Sequence, residues 1–131
     1  MVDTSVWSLA LRRDSRVDLP EVRVLLEALA EGGLVVTTGL VLQELLQGFA
    51  GPRARAHIID HFSDLPMLAP TRDDHVQAAE ARNLCRRSGL QVGTIDALLM
   101  QLCLHHQLTM LTADRDFHQA ARVLPLQVWQ A

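Results

Sequence analysis

Hydrophobic positions along the chain alternate between short β-like runs and helical periodicity. After Pro20, a good first helical residue, Val22, Leu25, Leu26 and Leu29 follow the i, i+3, i+4, i+7 spacing of a one-sided helix, which Gly32-Gly33 stops. Leu34-Val35-Val36-Thr37 predicts a buried strand, Thr38 caps a helix to about Phe49, and Gly51-Pro52 breaks the chain and opens a helix to about Phe62. Pro66 and Pro70 leave room for only a short strand between them, and a helix follows from Asp73 to about Arg87, where Ser88-Gly89 ends it. Thr94 reads as the N-cap of an unusually apolar helix through His106. Leu108 to Leu111 forms a strand, a short helix lies near Phe117 to Ala121, and Leu126 to Trp129 is a last strand. With a very short strand at Met1 to Asp3, the pattern comprises about five strands and roughly six or seven helices in alternation, the order of an α/β fold with a parallel sheet.

Length and composition narrow the chemistry. The 131 residues suit one domain spanning 1–131, long enough to bury roughly two-thirds of its unfolded surface. No apolar run approaches the roughly 20 residues of a membrane helix, so no membrane role is expected. Met1 to Leu9 carries an acid and no basic segment, which does not read as a secretion signal and makes a reducing cytoplasm the default. Cys85 and Cys103 lack CxxC spacing and read as small core residues. All 12 basic residues are arginine, and the missing lysines exclude a P-loop, a Schiff base and a Ser-Lys dyad.

The acids are more informative. Asp96 falls in the first turn of the helix after Thr94, with Leu99, Met100 and Cys103 as its i+3, i+4 and i+7 neighbours, so it lies on an apolar face. Glu44 lies among Val41, Leu45 and Gly48 on a helix with few polar groups. Asp3 and Asp114 each follow a predicted strand, and ligands of open parallel sheets bind beyond the carboxyl ends of strands. Each acid alone has a structural role open to it: Asp96 as a helix-dipole partner, Asp114 as a helix cap, Glu44 as an ion-pair member. Together, four carboxylates with only Arg115 nearby in sequence call for a cation, and oxygen-only ligands select Mg²⁺ or Mn²⁺ over zinc.

The segments Val2-Asp3-Thr4-Ser5-Val6-Trp7, Gln43-Glu44-Leu45-Leu46-Gln47-Gly48, Asp96-Ala97-Leu98-Leu99 and Leu111-Thr112-Ala113-Asp114-Arg115-Asp116-Phe117 resemble the four signature regions of PIN-domain ribonucleases, most nearly the VapC toxins of bacterial toxin–antitoxin modules. The resemblance implies a Rossmann-like three-layer fold and phosphodiester hydrolysis of RNA with one or two Mg²⁺ or Mn²⁺ ions. It makes Asp3, Asp96 and Asp114 the main metal ligands, Glu44 a ligand directly or through water, and Asp116 a less constant fifth acid. Thr112 and Ser5 match hydroxyl positions that orient the carboxylates. The same resemblance implies a small VapB-type antitoxin whose C-terminal segment covers the acids, and a homodimer. Only Met1 and Val2 precede Asp3, where members of the family usually carry a few more apolar residues, so either a trimmed first strand or an upstream start is expected.

The formal charge of −3 argues mildly against nucleic acid, but without Asp3, Glu44, Asp96, Asp114 and Asp116 ten acids face twelve arginines. Arg12, Arg13 and Arg16 form one basic group and Arg53 with Arg55 another; a solvated face accounts for either, and no RNA path is assigned. His57 and His61 stand at i, i+4 without an evident third ligand, and His105-His106 suits a helix C-terminus. Trp7 and Trp129 read as core or rim residues. A phosphatase of the haloacid dehalogenase type fails at Ser5, where a second Asp is expected, and at the missing lysine. An RNA-processing PIN nuclease outside a toxin module, and a catalytically silent PIN-fold interaction module, are the alternatives to the toxin.

Overall fold

Helix begins at the fourth residue. Asp3 is extended, its carbonyl accepts from the backbone N–H groups of Val6 and Trp7, and α1 (Thr4–Leu11) follows directly. This helix was not among the predicted elements: five of its eight residues, Val6, Trp7, Leu9, Ala10 and Leu11, are apolar, and so short a crowded run shows no one-sided period. The computed structural model describes residues 1–12 and 18–131. The predicted basic residues Arg13 and Arg16 lie outside the described residues.

Two compact units emerge, one of Val2–Ala69 and one of Pro70–Ala131 with Met1. In the first, α2 (Pro20–Ala30) starts on its proline and buries Val22 and Leu25, while Leu26, predicted on the same stripe, is half exposed. It ends before Gly32, whose φ of +70° suits a residue without a Cβ. Two-residue β1 (Thr37–Thr38) leads into α3 (Gly39–Gly48), which buries Val41 and Leu45. Thr38 stands at the N-cap but makes no side-chain cap bond, so the capping expected of its hydroxyl is not observed. Then α4 (Pro52–Phe62) opens on Pro52 and buries Ile58 and Phe62, the latter against Trp7 with ring centroids 4.8 Å apart. β2 (Met67–Leu68) closes the unit, pairing in parallel with β1.

In the second unit, α5 (Arg72–Arg87) packs along α6 (Thr94–His106), and α7 (Arg115–Ala120) follows. A capping box starts α5: Thr71 Oγ1 accepts from the Asp74 N–H at 3.1 Å and Asp74 Oδ2 accepts from the Thr71 N–H at 2.9 Å. Helix α6 buries Ala97 through Met100, Leu102 and Cys103, and ends on Gln107 in the left-handed conformation, φ 54°. Gly93, not the predicted Thr94, is its N-cap residue, and Thr94 begins the helix. Cys85 and Cys103 are free and buried, and burial pushes the Cys85 thiol up.

The result is an α/β chain of seven helices among the described residues with parallel pairing, but the expected sheet of about five strands is not observed. Among the described residues a two-stranded sheet stands in its place, together with bridge positions at Val2, Met110, Leu111 and Val128, of which Met110 and Val128 pair in parallel. The predicted strand segments are short. The prolines at 66 and 70 confine β2 to two residues, and Leu34, predicted in the β1 segment, is 77% exposed. In the second unit the Met1 ammonium donates to the Thr109 carbonyl, the Leu111 N–H to the Met1 carbonyl, and the Met110 N–H to the Gln127 carbonyl. Residues 109–111 thus bond on both sides to extended chain. Burial lowers the pKa of the Met1 ammonium.

Candidate functional site

Two neighbouring hydroxyls in the first turn of α1 hold two of the predicted acids. Asp3 is 95% buried by the measure of 5% exposure, and its Oδ2 accepts from Ser5 Oγ at 2.8 Å. Glu44, half-buried on α3, accepts at Oε1 from Thr4 Oγ1 at 2.9 Å. Asp3 and Glu44 are therefore brought to one turn of the first unit, although 41 positions separate them in the chain. Thr4 was missed as a site residue. Its signal was adjacency to Ser5, since consecutive hydroxyls on a helix turn point to different sides and each can serve its own carboxylate.

The second unit holds the other acids. Asp96 lies in the first turn of α6, half-buried, at the end of the face formed by Leu99, Met100 and Cys103, all of them buried. A Cβ at Gly93 would stand 3.9 Å from Asp96 Oδ2, in ordinary van der Waals contact. Asp114 caps α7, its Oδ1 accepting from the Asp116 N–H at 2.9 Å, while its own N–H donates to Thr112 Oγ1 at 2.9 Å. Thr112 is wholly buried, so this hydroxyl is a fixed support for the turn that presents Asp114. Asp116 is exposed. Asp114 thus performs the capping that was open to it, and that role leaves its Oδ2 without a part in the cap bond.

Within neither unit do three or more His, Cys, Asp or Glu side chains among the described residues form a group arranged to hold a metal ion. The donor set nevertheless suits a hard divalent cation in chemistry: carboxylates and hydroxyls, with no thiolate among them.

Other predicted features fall elsewhere. His57 and His61 are exposed on α4, their ring centroids 4.5 Å apart, and Arg53 and Arg55 are exposed on the same helix. His105 Nδ1 lies 2.8 Å from Asp74 Oδ1, a bond between α6 and the start of α5, which gives His105 a structural task. Trp7 is buried and Trp129 half-buried. No helix among the described residues is long and apolar enough to cross a membrane.

The family model of the PIN domain matches residues 1–123. The chain belongs to the PIN domain family. Solved structures similar to this PIN chain include VapBC2 from Rickettsia felis bound to a DNA fragment from their promoter, at 20% identity and a TM-score of 0.74, covering 98% of this chain and 96% of that one. VapBC-1 from nontypeable Haemophilus influenzae is similar at 16% identity and a TM-score of 0.75, covering 99% and 96%. The sarcin-ricin loop cleaving toxin VapC20 of Mycobacterium tuberculosis is similar at 23% identity and a TM-score of 0.67, covering 95% and 96%. No curated protein matches the sequence significantly. Two of these neighbours are VapBC structures and the third is a VapC toxin, and this chain shares their fold.

Proposed function

We propose that this PIN-domain chain is a metal-dependent endoribonuclease and the toxin of a toxin–antitoxin pair, acting in the cytoplasm as a single domain over residues 1–131 with a sheet of about five strands. The observation that carries the reading is the hydroxyl support of the motif acids: Ser5 on Asp3, Thr4 on Glu44, and Thr112 beneath Asp114. Carboxylates fixed in this way lose little freedom when they take up a ligand.

Asp3, Asp96 and Asp114 are the proposed ligands of one or two Mg²⁺ or Mn²⁺ ions, with Glu44 acting directly or through water and Asp116 at the margin. Such an ion, when bound, supplies Lewis acidity toward phosphate oxygens and lowers the pKa of water. Ser5 and Thr4 fix the rotamers of Asp3 and Glu44, so that neither carboxylate turns away to solvent. Thr112 holds the backbone of Asp114, and the cap bond to Asp116 N–H fixes one of its oxygens.

The antitoxin assignment is supported by solved neighbours that are VapBC and FitAB complexes. The proposed partner is a small VapB-type protein that covers the acids with its C-terminal segment, and the toxin itself is proposed to form a homodimer. Co-expression with the adjacent open reading frame tests the partner: relief of growth arrest and a co-purifying complex support it, and failure of both removes it. Metal-dependent cleavage of RNA by the isolated chain tests the activity.

A further inference from the structure

A groove between α5 and α6 in the second unit offers chemistry that the acids do not. It encloses about 240 Å³ and is lined by His75, Arg82, Asn83 and Thr94 over a floor that includes Ala79 and Ala97. Arg82 is half-buried, and its Nε donates to the Val92 carbonyl at 2.8 Å, which fixes the plane of the guanidinium. No carboxylate among the described residues pairs with it: the ion pairs there are Arg23 with Asp18 and His105 with Asp74. A pre-oriented, unneutralised guanidinium beside an amide and a hydroxyl is suited to a phosphate diester, which it meets through its remaining N–H donors. Arg86, one turn on, shares with Arg82 the lining of an adjoining hollow and extends the positive surface. At its other end the groove reaches Thr94 and Ala97, which flank Asp96 in the first turn of α6.

We propose that this groove seats a backbone phosphate of the RNA strand, with Arg82 as its principal contact and His75, Asn83 and Thr94 as polar neighbours, so that the strand runs past Asp96. The proposal rests on the nuclease reading and names part of its substrate path. Charge complementarity selects an anionic occupant, and the small alanine floor leaves room for a sugar against the helices.

The test measures binding of a short labelled single-stranded RNA in EDTA by fluorescence anisotropy across a salt series, with cleavage kinetics in Mn²⁺ run in parallel. Arg82→Gln is expected to weaken binding about fivefold or more and to lower the slope of log affinity against log salt by about 0.7, the loss of one single-strand phosphate contact. Ala79→Glu puts a carboxylate into the groove while leaving the Arg82–Val92 bond intact, and is expected to weaken binding at least as much. Both variants should raise KM with kcat nearly unchanged. Arg87→Gln, exposed on another face of α5, should stay within about twofold of the wild type. If the wild type binds and cleaves RNA while Arg82→Gln and Ala79→Glu keep its affinity, salt slope and KM, the groove is excluded and the nuclease stands. A wild type that neither binds nor cleaves RNA overturns both readings. An acidic peptide that binds the groove while RNA affinity ignores both variants reassigns it to a protein partner.

Discussion

Asp74 offers a quantitative check on the physics of the second unit. Its side chain is almost completely buried, which by itself raises a carboxyl pKa, yet hydrogen bonds from the Thr71 N–H, Gln101, His105 and the Thr71 hydroxyl together hold it at about 2, below its ordinary 3.8. The folded pKa is lower than the unfolded one. The associated stability is therefore complete above about pH 4 and is lost as the pH falls through about 2. At about 1.4 kcal/mol per pKa unit the shift corresponds to about 2 kcal/mol. Asp74→Asn keeps the shape and removes the charge, so it should cost about 2 kcal/mol at pH 6, and the gap to the wild type should close to well under about 1 kcal/mol by pH 2. Urea unfolding followed by circular dichroism at pH 6, 4, 3 and 2 measures the gap. An offset that stays constant within about 0.5 kcal/mol across that range would refute the claim that the ionised carboxylate holds the start of α5 to α6.

Further perturbations address the site and the fold. Mn²⁺ should raise the melting temperature, because it binds the folded acids and not the unfolded chain; at about 100 times its Kd the gain is about 2.7 kcal/mol, and an unchanged Tm at millimolar Mn²⁺ in differential scanning fluorimetry speaks against the metal set. Ser5→Ala should cost about 1 kcal/mol in urea unfolding and cut cleavage at limiting Mn²⁺ roughly tenfold, with recovery at higher Mn²⁺. Recovery is the decisive part, since a chain damaged elsewhere would not regain activity with metal. Gln107→Gly should stabilise the chain by about 0.5–1 kcal/mol, because φ 54° at the end of α6 strains a residue with a Cβ; a loss of stability in thermal unfolding would contradict the strain argument.

Much of this arrangement was legible because it is local. Pro20 and Pro52 stand at first helical positions as expected, and the face that joins Asp96 to Leu99, Met100 and Cys103 appears where the i+3, i+4, i+7 rule puts it. Boundaries slipped where two adjacent residues compete for one cap. Thr94 carries the hydroxyl expected of an N-cap, but the chain turns into α6 one residue earlier, at Gly93, and α7 starts at Arg115 because Asp114 caps it. The long-range contacts, one at the site and others that hold α5 to α6, were not legible. Thr4 with Glu44, and Asp74 with Gln101 and His105, join residues 27 to 40 positions apart, which no periodicity reports. The resemblance to PIN-domain ribonucleases bridged part of that gap by naming the acids before the fold was known, but it did not name Thr4 or Arg82.

The central claim, that the motif acids of this PIN chain cut RNA with a divalent metal, is tested most directly by incubating the purified, antitoxin-free protein with total bacterial RNA in Mn²⁺ or Mg²⁺ and mapping new ends by sequencing. Lanes with EDTA and with Asp96→Asn complete the measurement. The account predicts discrete cuts in the metal lanes and none in EDTA or with Asp96→Asn, the variant remaining folded by circular dichroism. Cuts that persist without metal or without the Asp96 carboxylate, or a chain that neither binds Mn²⁺ nor cuts, would contradict it.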